Sequence, residues 1–198
     1  MDAATPNTLT LLPKSVAQYF PPDIPFVRLG VWGYGSCFFL SVCAALNQKG
    51  YLTASSAEQK RIGNKYRCDF SKHVTDERWN EFAVEHGITD MTPHQARRNF
   101  CNAKTWANEG MIRFVSQVLR MNILFIDTDA SKLFCGVHGD SKEPMIVVLW
   151  VKRSHFEPVG ACRQLGKDKT AVQFVFDPEK DADVVNHIVE KYQGQCAI

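Results

Sequence analysis

The chain has 198 residues, 45% of them hydrophobic and 22% charged, which is the usage of one ordinary globular domain. Its 23 basic and 21 acidic side chains nearly cancel, and no basic stripe alternates with aromatics, so nucleic acid and anionic membrane are not expected as partners. No apolar run reaches the ~18 residues of a membrane span, and Met1-Asp2-Ala3-Ala4-Thr5-Pro6 lacks the basic-then-apolar profile of a signal peptide, which implies a cytoplasmic protein.

Residues 1–13 are polar, carry two prolines and are expected to be loosely held; residues 14–20 suit a short helix ended by Pro21-Pro22. Pro25 and the glycines at 30, 33 and 35 mark a loop. The run from Cys37 to Leu46 is apolar on nearly every side, and its length and Ala/Leu content predict a buried helix. Amphipathic helices are expected over 54–68 and 76–86, the second capped by Thr75 or Asp76. Thr92-Pro93 opens another over 92–99, and a fourth covers 105–120 with Trp106 on its apolar side.

The period then changes. Asn122 to Ile126 reads as a buried strand, followed by strands at Leu133 to Val137 and Met145 to Val151 around the turn Gly139-Asp140-Ser141. Phe156 to Val159 reads as an edge strand, because Pro158 cannot donate to a ladder, and Val172 to Phe176 as the last strand. Asp177-Pro178-Glu179 has the form of a helix start, and the helix should end near Tyr192 to Gly194. Helices, then a sheet, then one helix is α+β organisation. Residues 1–22 are expected to be an N-terminal extension and 23–198 a single domain, with the motif-bearing core at about 30–160.

Seven cysteines, an odd number without any CxxC pair, argue against structural zinc; without a secretory signal they are expected to be free thiols, most of them buried and inert. Cys37 stands apart. It follows Gly33-Tyr34-Gly35-Ser36 and opens the apolar helix. A helix N-terminus presents unpaired N–H groups and partial positive charge, which stabilise a thiolate. Flanking glycines let backbone N–H groups approach a reacting carbonyl. A buried cysteine after a glycine turn is the competing reading.

A second cluster is Ser154-His155-Phe156-Glu157. Residues two apart in a strand share a face, so Glu157 can reach the His155 imidazole, fix its tautomer and leave the other nitrogen for a thiol proton. Asp23 and Asp127 are alternatives for that orienting acid, and His138 with Asp140 is a weaker copy of the pattern. His73, His86, His94 and His187 have no paired ligand spacing, and no metal is expected. Cys101 has no supporting partner for a reactive role. Trp150 suits the core, or with Phe156 a wall of a substrate channel.

Tyr34-Gly35-Ser36-Cys37-Phe38-Phe39 resembles the Asp-Gly-x-Cys-aromatic stretch of the ovarian-tumour (OTU) cysteine proteases, and Ser154-His155-Phe156-Glu157 resembles their His-aromatic-Asp/Asn stretch. Thr105-Trp106-Ala107-Asn108-Glu109 and Asn122 to Ile126 are similar to the middle segment of that family, so three short blocks in order cover about 30–160. The resemblance implies a papain-like α+β fold, a helical region packed on a small central mixed sheet. It implies a deubiquitinase that hydrolyses the (iso)peptide bond after the C-terminal glycine of ubiquitin or a ubiquitin-like modifier, through a thioester on Cys37 and without a cofactor. His155 is then the base and Glu157 the third member, with backbone N–H groups of Tyr34, Gly35 and Ser36 binding the oxyanion. Tyr34 stands where that family has Asp, and Glu157 where it has Asp or Asn. Its compact length is similar to that of stand-alone viral or effector members, which would place it in a host cytoplasm, as a monomer. A catalytically inactive ubiquitin-binding module of the same fold and another papain-like hydrolase are the rival functions.

Overall fold

A computed structural model describes residues 1–130, 132–134, 142–162 and 169–193. Cys135, His138, Asp140, the 139–141 turn and Cys196 lie outside the described residues.

A mixed sheet carries the fold. Its strands are β1 (Leu9–Leu11), β2 (Phe26–Leu29), β3 (Asn122–Asp127), β4 (Lys132–Phe134), β5 (Met145–Val151), β6 (His155–Ala161) and β7 (Val175–Phe176). The order is β1-β2-β6-β5-β3-β4, with β7 pairing β5. Among the described residues only β3 and β5 run parallel; the other pairs are antiparallel. The helices are α1 (Lys14–Ala17), α2 (Cys37–Ala45), α3 (Ser56–Asp69), α4 (Asp76–Glu85), α5 (Pro93–Cys101), α6 (Glu109–Leu119) and α7 (Ala182–Gln193).

Side-chain alternation divides the sheet into two apolar faces. Val27, Leu29, Ile146, Val148 and Phe156 join a core with α2 to α6, centred on Phe38, Phe39, Phe100 and Phe114. Phe26, Val147, Leu149, Val151 and Val159 join a second core with Val16 of α1 and Val184, Val185 and Ile188 of α7. The middle layer is therefore covered on both sides, which explains why β3 and β5 are apolar at successive positions rather than alternately.

Helix α2 is buried at every residue, as its unbroken apolar run requires. Gly63 of α3 lets α3 lie against it: a Cβ there would come within 2.1 Å of Leu40 Cδ2. The caps follow sequence chemistry. Thr75 Oγ1 accepts from Arg78 N at 3.2 Å, and Thr92 and Gln95 form a reciprocal capping box at the start of α5.

Several expectations are corrected. The N-terminal residues are tied down, since β1 pairs with β2 in the register Leu9↔Leu29 and Asn7 N donates to Gly30 O at 2.7 Å. The stretch expected to be loop after Pro25 contains β2. Helix α6 begins at Glu109, not 105, because Asn108 Oδ1 caps it at Met111 N, and Trp106 stays 50% exposed in the preceding loop. Asp177 caps a turn through Glu179 N and Lys180 N, and α7 starts only at Ala182.

Strand β6 is interior, not an edge. Cys162 N–H donates toward β2 and Ala161 N–H toward the other side, so by alternation the Pro158 nitrogen faces β2. The β2–β6 ladder has already ended at Arg28↔Val159. The missing donor therefore removes nothing from the β5 ladder, where Val148 pairs with Pro158. Among the described cysteines, Cys37 and Cys43 are free and buried and Cys162 is buried, but Cys68 and Cys101 form a disulfide between α3 and α5, against the expectation of thiols throughout.

Candidate functional site

The site lies where the start of α2 meets the start of β6. Cys37 is the first residue of α2 and is 1% exposed. Ser36 before it has φ −101° and ψ 5°, in the sparsely populated bridge region, and its hydroxyl does not cap the helix. Instead Ser36 Oγ donates to Ala103 O at 3.3 Å. Gly35 has no room for a side chain, since a Cβ would sit 2.6 Å from the Lys104 carbonyl oxygen. Loop 33–36 is thus held between the segment after α5 and the histidine, for a Cβ on Gly33 would lie 3.6 Å from His155 Nδ1.

His155 is placed by the β5–β6 hairpin, where Val151 pairs with His155 and Ser154 N donates to Val151 O. Both central turn residues are left-handed, Lys152 at φ 49° and Arg153 at φ 52°, although neither is glycine. Each makes an ion pair: Lys152 Nζ to Asp2 Oδ1 at 2.5 Å and Arg153 Nε to Asp127 Oδ2 at 3.2 Å. Asp127 also accepts from Asp129 N and Ala130 N, so it serves this turn and not the imidazole. Asp23 is exposed and makes no contact with His155.

Glu157 shares a face with His155, and its Oε1 lies 3.5 Å from Nε2, an ion-pair distance at which Nε2 makes no formed hydrogen bond. That leaves Nδ1 as the nitrogen for the thiol. Burial pulls the His155 pKa down, but polar contact with Cys37 and Glu157 and their charge outweigh it and raise the value to about 9. Glu157 is itself fully buried and doubly held: Arg28 Nη1 donates to Oε2 at 2.9 Å and Ala4 N to Oε1 at 2.6 Å.

The backbone donors differ among themselves. Cys37 N–H donates to Tyr34 O at 2.8 Å, whereas the N–H groups of Tyr34, Gly35 and Ser36 have no acceptor among the described residues. The Tyr34 side chain is half-buried and its hydroxyl reaches Asn64 Oδ1 at 3.4 Å. Burial first, and Cys37 second, raise its pKa. Trp150 is partly buried and stacks on Phe156, at 6.3 Å and 8°, beside the hairpin that carries His155.

Sequence reasoning brought together Cys37, His155 and Glu157 and missed their supports. Arg28, Ala4 and Arg67 were not singled out. A signal existed for Arg67, which falls four residues after Gly63 on the buried face of α3. Among the described residues no cluster of His, Cys, Asp and Glu could hold a metal ion, and no helix is long and apolar enough to cross a membrane.

No family model and no curated protein matches the chain. Solved structures do. An OTU domain in complex with ubiquitin superposes with a TM-score of 0.58 at 16% identity, covering 95% of this chain and 93% of that one. The viral OTU protease of Dera Ghazi Khan virus gives 0.49 at 19% identity, over 70% and 82%, and that of Qalyub virus 0.45 at 12%, over 77% and 99%. The near-complete mutual coverage in the first comparison establishes the OTU fold for this α+β chain.

Proposed function

We propose that this OTU-fold chain is a cysteine-type deubiquitinase. The observation that carries the reading is the meeting of Cys37, at the N-terminus of a buried helix, with a histidine whose far nitrogen faces a buried carboxylate. The nucleophile of such a site is the thiolate, and an imidazolium beside it is its counter-ion. Cys37 Sγ attacks the carbonyl carbon of the C-terminal glycine of ubiquitin or a related modifier. The electron pair moves onto the carbonyl oxygen, and the unengaged N–H groups of Gly35 and Ser36 are the donors suited to receive it. As the oxyanion collapses, the C–N bond breaks and His155 gives its proton to the leaving amine. Water, deprotonated by His155, then hydrolyses the thioester and restores the pair. Glu157 keeps the ring oriented, and Trp150 with Phe156 walls the approach to it.

Fold likeness supports ubiquitin as the modifier, since the OTU domain of the 0.58 comparison was solved with ubiquitin. A ubiquitin-binding module without turnover is the second reading. It draws on the 1% exposure of Cys37 and on its N–H being turned to Tyr34 O. A ubiquitin carrying a C-terminal electrophile separates the two. Under the protease reading it adds one ubiquitin mass to the wild type at Cys37, Cys37→Ala abolishes both labelling and reporter cleavage, and His155→Ala is nearly as damaging. Binding without labelling leaves the module; cleavage that persists in Cys37→Ala removes the nucleophile assignment.

A further inference from the structure

Arg67 is the buried cation nearest this loop. It lies in the last turn of α3 and is 0% exposed. Its Nη1 donates to Gly35 O at 2.8 Å and to Ser36 Oγ at 3.3 Å, Nε to Phe100 O at 2.9 Å, and Nη2 to Asn99 O at 2.7 Å. The guanidinium also covers the Phe39 ring at 4.8 Å. One planar group thus spans from the two residues before Cys37 to the end of α5. The disulfide Cys68–Cys101 begins one residue beyond Arg67 and one beyond Phe100, so a covalent bridge fixes the spacing that these hydrogen bonds need.

All four acceptors are neutral oxygens. Burying a cation without an anionic partner is costly, and packing alone would be served as well by an apolar side chain. Burial lowers the Arg67 pKa to about 10; Cys37 and Tyr34 push it the other way, favouring the charged form. The charge has two uses, at the C-terminal carbonyls of α5 contributed by Asn99 and Phe100 and at the loop before Cys37.

Peptide geometry says what the clamp does. The Gly35 carbonyl and the Ser36 N–H belong to one planar trans unit and point in opposite directions. A carbonyl fixed on Arg67 sends that N–H away from the clamp, and it is one of the loop donors left unengaged among the described residues. We propose that Arg67 is a positioning residue of the acyl-transfer site: it sets the Gly35–Ser36 peptide so that Ser36 N–H meets the oxyanion, and it holds positive charge behind Cys37.

This rests on the acyl-transfer reading of Cys37, so the test has two arms. Wild type, Arg67→Lys and Arg67→Gln are compared as the full chain. One arm is steady-state hydrolysis of a fluorogenic ubiquitin C-terminal amide. The other is the pH profile of Cys37 alkylation by iodoacetamide, mapped by mass spectrometry, which needs neither ubiquitin nor an oxyanion. Lysine keeps the charge but not the planar fork. Arg67→Lys is expected to lose roughly 10²-fold in kcat, the scale of one lost oxyanion donor. Its KM should stay within about threefold, as for an interaction made only in the transition state, and its alkylation profile should remain near wild type. Arg67→Gln loses both functions, and its profile moves to higher pH. Wild-type kcat in Arg67→Lys, a loss confined to KM, or an Arg67→Gln profile superimposable on wild type overturns the proposal. A wild type that hydrolyses no ubiquitin substrate is the failure of the protease reading, and the alkylation arm then decides on Arg67 by itself. If Arg67→Gln lacks a cooperative melt, Arg67→Met takes its place in both arms with the same expected and overturning results.

Discussion

Ala4 donates its backbone N–H to the Glu157 carboxylate at 2.6 Å, across 153 residues of sequence. The same oxygen faces the His155 ring, and the other is held by Arg28. A side chain picked from sequence as a simple orienting acid is thus also the point where the N-terminal segment, β2 and β6 are joined.

Glu157 substitutions should therefore register twice. Glu157→Ala leaves Arg28 buried without its partner, and breaking such a pair costs about 3–5 kcal/mol. It also frees the imidazole, lowering kcat by up to about 10²–10⁴-fold with KM little changed. Glu157→Gln keeps an acceptor at the same reach and should lose less of both. Chemical denaturation beside steady-state kinetics measures the two effects; an unchanged kcat in Glu157→Ala would remove its orienting role.

A second expectation concerns pH. The His155 pKa is raised from 6.5 to about 9 in the folded chain, so the protonated ring stabilises the fold. That contribution is full below about pH 6.5 and is lost as pH rises through about 9. The gap in Tm between wild type and His155→Ala should narrow over that window. Loss of the His155 proton should make kcat/KM fall on its alkaline side with an apparent pKa near 9, and Glu157→Gln should move that limb to lower pH.

Gly30→Ala tests the N-terminal segment without touching the triad. A Cβ there would lie 2.2 Å from the Thr5 carbonyl oxygen, while Gly30 N and O are bonded to Thr8 and Asn7. The backbone around residues 4–8 must move, at a cost of about 1–3 kcal/mol. Faster amide exchange at Ala4 together with reduced kcat is the expected pattern. Faster exchange with full activity would show that Glu157 does not need this donor.

Reduction gives a fourth. Cys68 and Cys101 are 33 residues apart, and closing a loop of that size stabilises by about 3–4 kcal/mol in the chain-entropy account. Cys101 is exposed, so a phosphine reductant should reach it. The denaturant midpoint of the wild type should drop on reduction, and that of Cys101→Ser should be low already and insensitive to reductant. A wild-type midpoint indifferent to reductant would contradict the bridge.

Elements whose chemistry is local could be read from the sequence. Met145 to Val151 and the capped starts of α4 and α5 needed only apolar runs and Thr, Gln and Pro at set positions. What depends on distant partners could not. Strand β2 has four residues between Pro25 and Gly30, too few for a pattern, and owes its existence to β1 and β6. Pro158 reads as an edge residue until the end of the β2 ladder is known. The hairpin turn Lys152-Arg153 carries no glycine or asparagine, and its ion-pair partners Asp2 and Asp127 are both remote in sequence. At the site, Cys37 and His155 announced themselves by their neighbours, while Arg28 and Arg67 look like ordinary surface cations until burial is known.

Among the described residues the two margins of the sheet are β1 and β4, of three residues each. A margin that short offers few free backbone groups for another chain to copy, so growth of the sheet from molecule to molecule finds little template. Leu11, 69% exposed on β1, is the apolar side chain at one of these margins, and replacing it with lysine would blunt that margin further. Concentrated preparations should therefore resist sheet-to-sheet aggregation, with β1 as the place to add charge if they do not.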